Sequence, residues 1–236
     1  MRVSIVMATK NKANLLDRTL ASIRSQEVGF EYEVVVIDDG STDNTLQVCQ
    51  SYDVDQYEKL INPNYRNPSV ARNVGYKKAR GDIVIAQSDD VMHESEGVIE
   101  QLCYRLLEGQ FLIATVFNYN ARRKERNFTY TGFGWQRPFF FLGSLWRRDL
   151  YAIGGCDEEF VAPGFDDDWF GQCLLRGRRL EVVFANDIIG HHQQHPRPNW
   201  LADLVKPSME LYRSKVARAE AGEIPWIASG GPWEYV

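Results

Sequence analysis

A doubly wound α/β fold, with a mainly parallel sheet and helices on both faces, is predicted by three features of this sequence. Val34-Val35-Val36-Ile37 is an unbroken β-branched run, the composition of a strand buried on both faces. Strand-like runs alternate with segments of helical spacing from the N-terminus, which implies right-handed β-α-β crossovers. Acids follow two of the early strands, where open α/β sheets bind ligands outside the strands' carboxyl ends.

The elements follow in order. Val3 to Met7 reads as the first strand, followed by a helix from about Asn11 with Leu16, Leu20 and Ile23 at helical spacing. Val34 to Ile37 is the second strand, and Ser41-Thr42-Asp43 is expected to cap a helix carrying Leu46 and Cys49. Gln56 to Ile61 forms a third strand before the turn signal Asn62-Pro63-Asn64. Ser69 is expected to cap a helix through Ala79, and Gly81-Asp82 breaks it before the strand Ile83 to Ala86. Val98, Leu102 and Leu106 mark another helix, Phe111 to Phe117 a strand, and Leu180 to Phe184 a further strand-like run. Beyond Arg197-Pro198-Asn199 the chain reads as helical, with Pro207 at a helix start and Gly222 at an end. Residues 1–198 are therefore expected to form the main domain and 199–236 a helical appendage.

At 236 residues the chain can bury a substantial core, and its 44% hydrophobic and 25% charged residues are those of a globular protein. The net charge of −5 argues against a general nucleic-acid binder. Cys49, Cys103, Cys156 and Cys173 are widely spaced, as reduced structural thiols are, so a cytoplasmic location is expected. No stretch reaches membrane-spanning length, which leaves peripheral contact with a membrane surface open.

Several motifs carry a resemblance. Met7-Ala8-Thr9-Lys10-Asn11, Ile37-Asp38-Asp39-Gly40-Ser41-Thr42-Asp43, Ala71-Arg72-Asn73-Val74-Gly75 and Ser88-Asp89-Asp90 stand in the order and at the spacing of the family-2 glycosyltransferases. Gly154-Gly155-Cys156-Asp157 and Asp166-Asp167-Asp168 with Gly177 are similar to that family's acceptor-side motifs. Each piece is weak alone; the set in register is specific. The resemblance implies a GT-A fold and an inverting transfer from a nucleotide sugar, UDP-linked by expectation, to a glycan or lipid-linked acceptor.

The residues suit that chemistry. A leaving diphosphate is highly charged, and a divalent cation, Mn2+ or Mg2+, is the usual way to neutralise it. Asp89 and Asp90 end a strand and resemble the family's acidic metal-and-ribose motif, with Gln87 where many members carry a first acid. Asp89 is the stronger of the two candidates; as a lone motif, the pair would equally suit a helix cap. Thr9, Asp38, Asp39 and Arg72 are candidates for base or ribose contact, since a carboxylate accepts from uracil N3–H and a guanidinium donates to carbonyl or phosphate. Arg72 could equally pair with Asp38 or Asp39. By resemblance Asp166 is the general base, with Asp167 or Asp168 as alternatives, although Phe165 stands in place of the family's first acid there. Adjacent carboxylates raise one another's pKa, which suits a base, while Asp also collects at helix N-termini for electrostatic reasons.

His191-His192-Gln193-Gln194-His195-Pro196 reads as a loop, and His191 matches the family position that completes the metal site. Trp135, Phe139, Phe140, Phe141 and Trp146 suit either a sugar-stacking platform or the core. The basic runs at Arg122 to Arg126 and Arg176 to Arg179 suit solvated charge or an anionic acceptor. Two rivals to the transferase stay open: a sugar nucleotidyltransferase, against which Ala8-Thr9-Lys10-Asn11-Lys12 lacks a glycine-rich phosphate loop, and a non-catalytic nucleotide-sugar or glycan-binding module.

Overall fold

The computed structural model describes residues 2–62, 64, 66–120, 122–132, 137–196 and 201–235. Pro63 of the expected turn, Trp135, and the turn 197–199 that bounds the expected appendage lie outside them. The first half of the chain alternates β1 (Val3–Thr9), α1 (Ala13–Arg24), β2 (Tyr32–Asp38), α2 (Thr45–Ser51), β3 (Gln56–Lys59), α3 (Ser69–Lys78) and β4 (Ile83–Gln87). The second half adds β5 (Val91–His93), α4 (Val98–Tyr104), β6 (Gln110–Asn120), β7 (Glu125–Thr131), β8 (Leu142–Trp146) and α5 (Arg147–Ile153). Then come α6 (Asp166–Gln172), a π-helical turn (Cys173–Gly177), β9 (Glu181–Gln193) and α7 (Leu201–Glu220).

Among the described residues one nine-stranded sheet runs β3-β2-β1-β4-β8-β6-β9-β5, with β7 paired to β6. The strands β3, β2, β1 and β4 pair in parallel, as does β6 with β9. The remaining pairings, β4–β8, β6–β8, β6–β7 and β5–β9, are antiparallel, so the sheet is mixed and its parallel half comes first in the chain.

The β-branched run of β2 behaves as a two-faced strand must. Val34 and Val36 enter one core with Ile5, Leu16, Leu20, Ile85 and Leu102. Val35 and Ile37 enter the opposite core with Val6, Tyr76, Val84, Leu150 and Trp169. All four cysteines are free and buried.

Several boundaries differ from the sequence expectation. The cap of α3 is Asn67, whose Oδ1 accepts from the Ser69 N–H and hydroxyl, because Pro68 has no N–H and already adopts helical angles. Asp43 accepts from Thr45 at the start of α2 and, across the turn, from the Ala13 N–H of α1, tying two helix starts together. Pro207 sits inside α7 rather than at its start. The helix nonetheless ends before Gly222, whose φ is +74°. The tail packs on the second core through Ala219, Trp226 and Trp233, and Ala228 and Trp233 donate backbone hydrogen bonds to Ile153 and Tyr151. No described helix is long and apolar enough to cross a membrane.

Helix α3 lies close on the sheet at Gly75, where a Cβ would stand 2.6 Å from Val6 Cγ1 and 3.2 Å from Ile37 Cγ1. Gly75→Val is expected to lower stability by about 1–3 kcal/mol through overpacking; urea unfolding midpoints against wild type measure it.

Candidate active site

The parallel register puts the acidic loops side by side. Thr9 pairs with Asp38 at the ends of β1 and β2, the Asp39 N–H donates to the Thr9 carbonyl at 2.8 Å, and β4 runs beside β1 towards Gln87. Asp38 is spent inside this edge: its carboxylate accepts from the Ser41 N–H at 2.6 Å and the Tyr57 hydroxyl at 2.7 Å. Asp39 points the other way and is held by Asn62 Nδ2 at 2.6 Å and by the Arg66 guanidinium, whose Nε lies 2.9 Å away. Gly40, at φ +87°, makes that approach feasible, since a Cβ there would stand 2.5 Å from the Asn62 carbonyl oxygen.

Asp89 and Asp90 follow β4 and are both buried. Lys12, in the loop between β1 and α1, donates to Asp89 Oδ1 at 3.0 Å and to Asp90 Oδ2 at 2.7 Å. Burial alone would push the Asp90 carboxyl up; Lys12, His195 and His192 instead hold it well below the usual carboxylate range. Burial dominates at Asp89, whose pKa is raised despite Lys12 and with the help of the Asp90 charge. The pair is thus asymmetric, with Asp90 the firmly ionised member. Asp89 Oδ2 is buried without a well-formed hydrogen bond.

The histidine segment corrects two expectations. Residues His191 and His192 belong to strand β9, paired with Met92 and Val91 of β5, rather than to a loop. Neighbouring residues of a strand face opposite ways. His191 therefore turns away from Asp90: its ring stacks on Tyr119 with centroids 4.4 Å apart, and its nitrogens meet Glu94 at 3.1 Å and Arg126 at 2.8 Å. His192 Nε2 faces Asp90 Oδ1 at 3.5 Å, and His195 Nε2 lies 3.2 Å from Asp90 Oδ2. Asp90, His192 and His195 each offer a ligand atom within 4.8 Å of the others, a carboxylate-and-imidazole set that could hold a divalent metal ion. His192 and His195 replace His191 as the histidines beside the acids.

Gln87 is also committed elsewhere. Its amide donates to the Val91 carbonyl at 2.7 Å and its oxygen meets His93 Nε2 at 3.0 Å, so it fixes the turn that carries Asp89 and Asp90.

Arg72, from α3, pairs with neither Asp38 nor Asp39. Its Nη1 lies 3.0 Å from Asp167 Oδ1 and 3.5 Å from Asp166 Oδ2, both in the first turn of α6. Asp166 is 8% exposed. Burial and the Asp167 charge raise its pKa to about 7, with Arg72 opposing. Asp168 is separately paired with Arg137. A cavity of about 270 Å³ has Thr9, Asp39, Arg66, Arg72 and Asp89 in its wall. The structure therefore brings Thr9, Asp39, Arg72 and Asp89 to one cleft, with Asp166 and Asp167 tied to it through Arg72. Asp38 and His191 face elsewhere. Arg66, Asn62, Lys12, His192 and His195 are the site residues that sequence reasoning missed. Only the histidine cluster gave a signal, and its facing depends on strand register.

Residues 4–157 match the description Glycosyl transferase family 2. The chain belongs to that family. Among curated relatives, the poly(ribitol-phosphate) β-N-acetylglucosaminyltransferase TarP of Staphylococcus aureus is 38% identical over 97 residues, 39% of this chain and 30% of that protein. The GalNAc(5)-diNAcBac-PP-undecaprenol β-1,3-glucosyltransferase of Campylobacter jejuni is 30% identical over 141 residues, 58% of this chain and 44% of that protein. The chain thus spans less than half the length of these relatives. Two solved structures share the GT-A fold. S. aureus TarS in complex with UDP-GlcNAc superposes with a TM-score of 0.68 at 20% identity, covering 94% of this chain and 68% of that one. The mannosyltransferase PcManGT of Pyrobaculum calidifontis, in complex with GDP-Man and Mn2+, gives 0.65 at 19% identity, covering 92% and 64%.

The aromatic and basic residues that the sequence left open between binding and structure are largely structural. Phe140 stacks with Phe111 and meets Phe170 edge-on in the core, and Phe141 and Trp146 pack against the other core. Arg176 pairs with Glu220 and Arg178 with Asp149, so those cations are already partnered.

Because the folded-state pKa of Asp166 is raised, the stability it supports is present at low pH and lost as pH climbs through about 7. Melting curves of wild type and Asp166→Asn between pH 5.5 and 8.5 test this. The difference is expected to shift in favour of the Asn variant as pH rises from 5.5 to about 7 and to level off above it.

Proposed function

We propose that this chain is an inverting glycosyltransferase that moves a sugar from a UDP-linked donor to an acceptor hydroxyl. The observation that carries the reading is the shared cleft: Thr9, Asp39, Arg72 and Asp89 line one cavity, and Arg72 ties it to the buried Asp166 carboxyl. TarS bound to UDP-GlcNAc and PcManGT bound to GDP-Man and Mn2+ have this fold around nucleotide sugars, which supports the same use here.

Asp39 accepts from the base N3–H or a ribose hydroxyl, with Arg66 and Asn62 holding its carboxylate in place and Thr9 lining the same wall. Asp90, His192 and His195, with Asp89 beside them, would hold a divalent cation, which supplies charge neutralisation for the leaving diphosphate. Asp166 takes the proton from the acceptor hydroxyl as that oxygen bonds to the anomeric carbon. The bond from that carbon to the diphosphate breaks in the same displacement, its electron pair leaving with the diphosphate, so the configuration inverts. A carboxyl whose pKa lies near 7 is suited to both accepting and releasing this proton at neutral pH. Arg72 keeps Asp166 and Asp167 in place across the cleft. The acceptor is proposed to be a glycan or lipid-linked glycoconjugate, following the relatives' named substrates.

UDP release from a panel of UDP-sugars, with and without manganese, is the direct test. Asp166→Asn is expected to cut kcat by about 10²–10⁴-fold while UDP binding is kept; unchanged turnover would remove Asp166 from the role of base. In wild type, kcat/KM is expected to fall on the acid side with a midpoint near 7 as Asp166 takes up its proton. A non-catalytic binding module would instead retain UDP affinity and release no UDP from any donor.

A further inference from the structure

We propose that Lys12 is a built-in counter-ion of the Asp89–Asp90 pair, and that a divalent cation binds this site only by displacing its ammonium group. The proposal rests on the reading that these acids, with His192 and His195, hold such a cation. The competition follows from which oxygens are used. Lys12 Nζ bridges Asp89 Oδ1 and Asp90 Oδ2, and His195 Nε2 already approaches that same Asp90 oxygen at 3.2 Å. The other Asp90 oxygen faces His192 and accepts from the Ser88 hydroxyl at 2.9 Å. An ion seated between Asp90 and His195 therefore meets the ammonium at Asp90 Oδ2, and two cations cannot share that oxygen without strong repulsion at low dielectric.

The backbone under Lys12 is fixed while its side chain has somewhere to go. Asn11 stands at φ 52° and accepts from the Thr42 N–H at 2.8 Å, and the Ala13 N–H donates to Asp43 at 2.9 Å. Both neighbours of Lys12 are thus anchored to the next loop. Its side chain is 30% exposed and forms a wall between the acid cleft and a second cavity of about 930 Å³. That second cavity borders Asn14, Asp43, Asn120 and His195 together with Arg18 and Arg122, so the ammonium has room to swing away from the acids. In the cation-free protein, Lys12 prevents two buried carboxylates from facing each other uncompensated.

The test is Mn2+ affinity, read from the EPR signal of free Mn2+, for wild type, Lys12→Met and Lys12→Arg. Lys12→Met keeps the length of the stem and removes the charge; it is expected to bind Mn2+ at least tenfold more tightly than wild type. Lys12→Arg retains the charge and is expected to show no gain. Lys12→Gln, checked by circular dichroism, serves if the Met variant does not fold. Equal or weaker Mn2+ binding by the neutral variants would overturn the role of Lys12 while leaving the cation site standing. No Mn2+ binding by wild type or any variant would overturn the cation site itself, and this proposal with it.

Discussion

Parallel pairing of β1 with both β2 and β4 is the constraint on which the rest of the molecule depends. Because β1 is flanked in register from Val3 onward, the three strands finish on one edge of the sheet. Each is an apolar strand whose side chains are largely consumed by two cores, so what these three strands lend the cleft comes from their carboxyl ends and the residues just beyond. Thr9, Asp39, Asp89 and Asp90 occupy those positions, and Lys12 lies in the loop just beyond β1. The cleft is a consequence of ending three buried strands together.

At that edge the electrostatics are organised as acids matched by cations from other elements. Arg66 serves Asp39, Lys12 serves Asp89 and Asp90, Arg72 serves Asp166 and Asp167, and Arg137 serves Asp168. Partnered charges of this kind add little net stability, but removing one member leaves its partner buried and uncompensated. The arrangement holds the carboxylates in defined positions before any donor arrives. At Asp166, burial and the adjacent Asp167 outweigh Arg72 and raise the carboxyl pKa to about 7.

The mixed half of the sheet completes the site. Antiparallel pairing of β9 with β5 brings His192 beside Val91, one residue from Asp90, and the Gln193 N–H donates to the Asp90 carbonyl at 2.9 Å. The same pairing directs His191 to Tyr119, Glu94 and Arg126 on the other face. The tail is equally integral, since Lys215 of α7 reaches Asp157 at 3.0 Å and the Trp226 carbonyl covers Gly177 too closely for any side chain there.

The sequence alone determined the buried strands β1, β2 and β4 of the parallel half and which acids lie at their ends; β5, β7 and β8 were not read from it. Those properties are local: β-branched runs, helical spacing and strand-terminal Asp pairs can be read without knowing what lies across the fold. Asp39 and Asp89 stand at strand ends that could be read for that reason, while Asp166 and the family were read from motifs in register along the chain. Only the tertiary structure decided the partners. Arg66 was invisible because its only cue is proximity to Asp39, twenty-seven positions away, and Arg72 meets Asp166 and Asp167 of α6, some ninety-five positions away, rather than Asp38 or Asp39. Which histidine meets Asp90 was settled by strand alternation and the β5–β9 register, and a shift of one residue would have exchanged His191 for His192.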